Sequence, residues 1–339
     1  MVTRLIRRFW SRKATRPPSA LLASSTVRIV LLTITALLLV GVCLAQNWGR
    51  RSRWGDGNMI RTEGGEWVDQ TKVRTAREIA EHSTGTPEWT NSRSFSHDVF
   101  TFVRIIRDRD PNGSPTAGTW ITDFPDSDLN FSYRLQQVTS LKVDPDGRTI
   151  RLTDPDLMHY PWIYMVEPGA LSLRDEEVPI LRKYLLNGGV LMADDFWGEW
   201  QWKGFATQIK RVFPERDFVE LPMEHPLFHC VFNLNVPKNK LQTPNIHQGI
   251  RSQYDGITWE THPREGSYAR WGPDAEQCTE MHVRAILDDK GRIMVIATHN
   301  CDNGDSWERE GESDYFFHEF SEKRGYPLGI NIIFYLMTH

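Results

Sequence analysis

The chain has 339 residues, long enough for about two domains, and a net charge of −4 from 40 Lys and Arg against 44 Asp and Glu. That balance excludes a general nucleic-acid binder, and the lack of GxxxxGK and GxGxxG loops leaves nucleotide binding without support. Its four Cys include no CxxC pair, which excludes zinc-ribbon and thioredoxin motifs.

The first 28 residues carry Arg4, Arg7, Arg8, Arg12, Lys13, Arg16 and Arg28 and no acid. Residues 29–45 are uncharged and almost wholly apolar. Seventeen residues sit at the short end of a bilayer span, and slightly exceed a signal-peptide core. Residues 29–46 are therefore expected to be a transmembrane anchor, or a signal peptide cleaved near Ala45. The basic N-region is expected in the cytoplasm, with the rest of the chain outside a bacterial inner membrane. Arg50, Arg51 and Arg53 weaken that bias. Residues 47–96 are polar and read as a tether, with one short helix over 73–82. The remainder, 97–339, reads as a single α/β domain.

Residues 100–106 are β-branched and aromatic and predict a first strand. Leu129, Tyr133, Leu135 and Val138 are near helical spacing, which predicts a helix over 126–139. Residues 141–143 and 149–152, on either side of Asp146-Gly147, predict a hairpin. Strands are expected at 162–166, 190–193 and 292–298, and helices at 175–186, 204–212 and 328–337. Strands alternating with helices imply a mainly parallel sheet, whose ligands bind beyond the carboxyl ends of the strands. Two polar loops belong there, 194–198 and 299–308.

Several spaced motifs carry a resemblance: 120–125 (WITDFP), 160–164 (YPWIY), 184–198 (YLLNGGVLMADDFWG), 224–226 (EHP), 291–295 (GRIMV), His299-Asn300, 304–308 (GDSWE) and 329–331 (GIN). Together they resemble the bacterial domain of unknown function 4159 over about residues 97–339. The resemblance implies a flavodoxin-like sheet with helices on both faces, related to class I glutamine amidotransferase-like and ThuA-like domains. It also implies a membrane-associated setting beside MoxR-type ATPases and von Willebrand factor A proteins. In the amidotransferases a Cys nucleophile sits on the tight turn after a central strand. Here that turn carries Asp194 and Asp195, and none of Cys230, Cys278 and Cys301 occupies it.

The candidate ligand-binding residues are Asp194, Asp195, Trp197, His299, Asn300, Asp302, Asp305, Glu308, Asp123 and Arg104. Asp195, His299 and Asp305 are the metal candidates, because carboxylates and an imidazole at strand ends suit a divalent cation. Each also has a plainer reading: a carboxylate capping a helix, a turn chosen for its backbone, or an arginine on an edge strand. Residues 108–113 mimic the start of an EF-hand loop but place Thr119 where Glu is required. His225 and His229, four apart beside Cys230, lack the Glu of a zincin. The three domain cysteines fit free buried thiols or one disulfide. Two functions follow as expectations: a non-catalytic binding or scaffold module of an envelope-associated complex, or a hydrolase using the carboxylate and His cluster without a Cys nucleophile.

Overall fold

The structure, a computed structural model, describes residues 58–92, 98–107, 119–260 and 276–339. The N-region, the apolar segment 29–46 and the EF-hand-like stretch 108–113 lie outside the described residues. Among the described residues no helix is long and apolar enough to cross a membrane.

Two short strands, β1 (Met59–Arg61) and β2 (Trp67–Asp69), form an antiparallel hairpin. The main sheet has seven strands: β3 (Val103–Ile105), β4 (Arg148–Ile150), β5 (Trp162–Val166), β6 (Val190–Asp194), β7 (Val219–Glu220), β8 (His282–Leu287) and β9 (Ile293–His299). They run in the order β4-β3-β5-β6-β9-β8-β7. The first five are parallel, and β8 and β7 add an antiparallel edge. The expected mainly parallel α/β sheet is therefore present.

The central strands are apolar throughout because both faces are covered. On β5, Trp162, Tyr164 and Val166 face a core shared with α1 (Asp126–Val138) and a C-terminal helix, α6 (Tyr326–Thr338). Ile163 and Met165 face the opposite core, shared with α2 (Glu177–Leu186) and α3 (Gly198–Val212). Two further helices, α4 (Ile246–Asp255) and α5 (Asn303–Glu308), lie between α3 and α6 in the chain. Trp307 of α5 packs 4.5 Å from the ring of Phe131 and 6.0 Å from that of Tyr164, which ties α5 to the first core.

Two expectations are corrected. The hairpin over 141–152 does not form: Phe100 bridges Val143 and Val103 pairs with Arg148, both in parallel. Residues 142–150 are one edge strand interrupted by a local turn, in which Asp144 accepts from the amide of Asp146 and the hydroxyl of Thr101. The Asp-Gly turn bulges the strand instead of reversing it, since both flanks find partners on the same neighbour.

The tether expected over 47–96 does not hold for residues 58–92, which belong to the same compact unit as the sheet. Only a turn of 3-10 helix, Ala76–Glu78, stands where a helix over 73–82 was expected. Val73, Ala76 and Ile79 are buried against Ile106, Trp120, Ile121, Phe124 and Leu129. The amide of Thr149 donates to the carbonyl of Arg74 at 2.8 Å, so this segment covers the otherwise open edge of β4.

Candidate functional site at the carboxyl edge

Three parallel strands end in the same unusual way. The residues following β5, β6 and β9 are Glu167, Asp195 and Asn300, with φ of 45°, 54° and 59°. Asp123, between β3 and α1, has φ of 62°. Each non-glycine residue in this left-handed region costs on the order of 1–3 kcal/mol, and such strain gathers at functional sites. Here local hydrogen bonds fix the turns. The amide of Asp195 donates to the Cys301 carbonyl at 3.1 Å. Asn300 Oδ1 accepts from the Gly198 amide at 2.8 Å, while its Nδ2 donates to the carbonyls of Gln277 and Glu280. Asn300 is thus a brace between loops.

Asp194 is a brace as well. Its buried carboxylate accepts from Tyr164 Oη, Thr298 Oγ1, the amides of Asn303 and Gly304, and Asn303 Nδ2. It therefore fixes the start of α5 beneath the sheet edge. Burial raises its carboxyl, and the hydroxyl and amide donors pull it back.

Asp195 turns the other way. Trp197 Nε1 donates to its Oδ1 at 3.0 Å. Its carboxylate also enters an acidic group in which Asp123, Asp195 and Asp302 each place one carboxylate oxygen within 4.8 Å of the others. Asp123 joins a second such group with Asp305 and Glu308. Exposures of 1%, 6% and 3% for Asp123, Asp195 and Asp302 put the first group under the surface. Burial, followed by the neighbouring carboxylates, pushes all three well above the usual range. Two ionised carboxylates about 4 Å apart repel by about 4 kcal/mol at an effective dielectric constant of about 20. The group therefore demands compensation by a proton or a cation.

The nearby cations are committed elsewhere. Arg104 is buried and bonds Asp128, Ser127 Oγ and the carbonyls of Trp120 and Thr122. It is thus a partner for Asp128, and it positions the loop that bears Asp123. Arg309 pairs with Glu63, Asp305, Glu308 and Glu312. Among the described residues no Lys or Arg forms an ion pair with Asp123, Asp195 or Asp302.

Asp302 and Asp305 also carry the plainer roles. Asp302 Oδ1 caps α5 by accepting from the Asp305 amide at 2.8 Å. Asp305 Oδ2 accepts from the Ile246 amide, at the start of α4. Burial pushes Asp305 up to about 6 and Glu308 up to about 8. Gly304 lies beside them because a Cβ there would stand 1.9 Å from Asp123 Oδ2.

His299 does not join the acids. Its ring packs on Phe196 and Trp202, with Nε2 3.1 Å from the Gly198 carbonyl and Nδ1 3.3 Å from Arg284. Burial, then the Arg284 charge, pushes its pKa down to about 3. As the last residue of β9, it packs with Phe196 and Trp202 instead of serving as the metal candidate expected beside Asp195 and Asp305. The imidazole that does meet the cluster is His82. Its Nδ1 is 2.8 Å from Asp126 and its Nε2 2.8 Å from Glu308, with Glu63 at 3.9 Å. Glu63 and His82 are absent from the sequence candidates because residues 47–96 read as a tether, and Asp126 because it opens the helix expected over 126–139. The signal was Gly64-Gly65 between Met59-Ile60-Arg61 and Trp67-Val68-Asp69, a hairpin pattern.

The remaining candidates are engaged locally. His229 meets Asn233 Oδ1 and the Met223 carbonyl, His225 accepts from the Leu227 amide, and Cys230 contacts the Asn331 carbonyl. Cys230, Cys278 and Cys301 are free thiols. Burial pushes the Cys301 thiol far up.

The fold and this edge define an α/β protein with a mostly parallel sheet and an enclosed group of carboxylates at its strand exits. The chain belongs to the family described as Domain of unknown function (DUF4159), whose model matches residues 102–337. No curated protein matches the chain.

Proposed function

We propose that this domain is a binding or scaffold module of an envelope-associated assembly, held at a bacterial inner membrane by residues 29–46. Within this reading the sheet is of the flavodoxin-like, amidotransferase-related kind. The observation that carries it is the state of the strand-exit residues. Asp194 and Asn300 brace loops, His299 is neutral and engaged on both nitrogens, and Cys301 is fully buried. A thiol so placed forms little thiolate and is a poor nucleophile. The family resemblance adds MoxR-type ATPases and von Willebrand factor A proteins as the class of partner. Cross-linking in intact membranes, followed by purification of the full chain, tests this: a stoichiometric protein partner is expected. Its absence, together with turnover by the purified chain, overturns the reading.

A second reading, a carboxylate-based hydrolase, draws on one observation. Asp195 occupies a left-handed turn directly after a central strand, and its carboxyl is pushed well up by burial and by Glu167. A panel of ester, phosphoester, amide and glycoside substrates decides between the two, with Asp195→Asn as control. Turnover that disappears in the variant favours the hydrolase.

A further inference from the structure

The carboxyl edge holds an acidic group with which, among the described residues, no Lys or Arg forms an ion pair. Asp123 comes from the loop after β3, Asp195 from the turn after β6, and Asp302 from the turn after β9. One oxygen from each lies within 4.8 Å of the other two. Proximity of acids alone does not make a site. Asp123 supplies the independent observation: it is 1% exposed, and its Oδ2 is buried without a hydrogen-bond partner. A buried carboxylate oxygen left in this way loses its hydration and regains nothing unless a ligand meets it. Gly304 makes the position possible, since any side chain there would collide with that same oxygen.

We propose that Asp123, Asp195 and Asp302 hold one hard divalent cation, which ties together the exits of β3, β6 and β9. All-oxygen donors select calcium, magnesium or manganese over zinc or copper. His299 takes no part, because its ring lies against Phe196 and Trp202. Asp195 Oδ1 accepts from Trp197 Nε1 and Asp302 Oδ1 from the Asp305 amide, bonds that hold both carboxylates in place. A cation of this kind is compatible with a scaffold and with a hydrolase alike.

The test uses the full chain in detergent, stripped with EDTA and titrated with calcium chloride or manganese chloride alone. Calorimetry and manganese paramagnetic resonance are expected to report one saturable equivalent, and thermal melting a rise of several degrees with the ion. Asp195→Asn and Asp123→Asn should each weaken binding at least tenfold. Both variants should melt at or above the stripped wild-type chain, because each removes one of three crowded like charges. Asp175→Asn, whose carboxylate pairs with Arg211 on the surface, should bind as wild type does. Should one Asn variant fail to fold, the other and the wild-type titration still decide. Absence of saturable binding at millimolar ion overturns the proposal, and so does binding unchanged in a folded Asp195→Asn or Asp123→Asn chain.

Discussion

His82 sits where three carboxylates meet, Asp126, Glu308 and Glu63, and its hydrogen bonds with Asp126 and Glu308 raise its pKa to about 10. Asp126 is lowered despite its burial, because it also accepts from the amides of His82, Ser83 and Thr84. Glu308 is itself pushed up to about 8, so the charged pair at neutral pH is His82 with Asp126. A raised His stabilises the fold fully below its unfolded pKa of about 6.5 and loses that contribution as pH rises through the folded value. Denaturant melts of the full chain should therefore show stability falling between about pH 6.5 and pH 10. His82→Ala should flatten that slope and cost about 2 kcal/mol at pH 6, less than the full penalty for a buried pair because the ring is part-exposed. A slope unchanged in the variant would assign the pH dependence to another group. Cys301 yields a second expectation at this scale. It is enclosed beside Thr243 Oγ1 at 3.1 Å, with its thiol held protonated. Iodoacetamide at pH 8 should label half-buried Cys230 first and leave Cys301 unmodified until the protein unfolds. Native-state labelling of Cys301, read by peptide mass, contradicts this.

The segment 58–92 is the element whose role differs most from its composition. Its polar residues are its anchors. Asp126 of α1 receives three of its amides, and Asn130 Oδ1 accepts from Thr84 and Thr86 while its Nδ2 donates to the Trp307 carbonyl. Trp89 Nε1 and Asn91 Nδ2 both donate to the Val143 carbonyl on the edge strand. A chain starting at Asn58 should unfold cooperatively. One starting at residue 98 should lose cooperativity or aggregate, because it leaves Asp126 buried without donors and opens the β4 edge. Calorimetric scans of the two fragments check this, and equal melting temperatures would return the segment to the status of a tether. The contrast shows what was readable. Strands β5, β6 and β9 stand near their expected bounds because continuous apolar runs mark doubly covered strands. The Asp195 turn and the start of α5 meet at one edge, as parallel topology requires. Residues 58–92 were opaque because few of their apolar side chains repeat with a period, and their stability comes from partners 40 or more residues away, as with His82 and Asp126. The antiparallel strand β8 is missing from the expected strands although Val283 and Ala285 alternate with His282 and Arg284, a period-two pattern that was legible. Only the pleat decides that His299 turns from the acids, and a one-residue difference in strand end reverses its face.

At the scale of the whole chain, the folded unit from Asn58 onward and the N-terminal 57 residues answer different physical demands. The first buries its apolar residues in two cores on opposite faces of one sheet. The second places seventeen consecutive uncharged, mostly apolar residues after a basic stretch without acids, a pattern suited to lipid. The proposed membrane attachment rests wholly on that stretch. Deleting residues 1–46 should move the protein from the membrane pellet to the soluble fraction while its melting temperature stays within a few degrees. The orientation follows from charge. Seven Lys and Arg precede residue 29 with no acid among them, against Arg50, Arg51 and Arg53 just after the segment. The imbalance favours a cytoplasmic N-terminus and a domain on the far side, by a margin that added charge can erase. Alkaline phosphatase fused after His339, active only outside the cytoplasm, should be active in the wild-type chain. Replacing Arg4, Arg7, Arg8 and Arg12 with Gln should shift part of the population to the inactive topology. Inactivity of the wild-type fusion, with a cytoplasmic reporter active at the same position, would place the domain on the inner side and remove the extracytoplasmic setting from the proposed function.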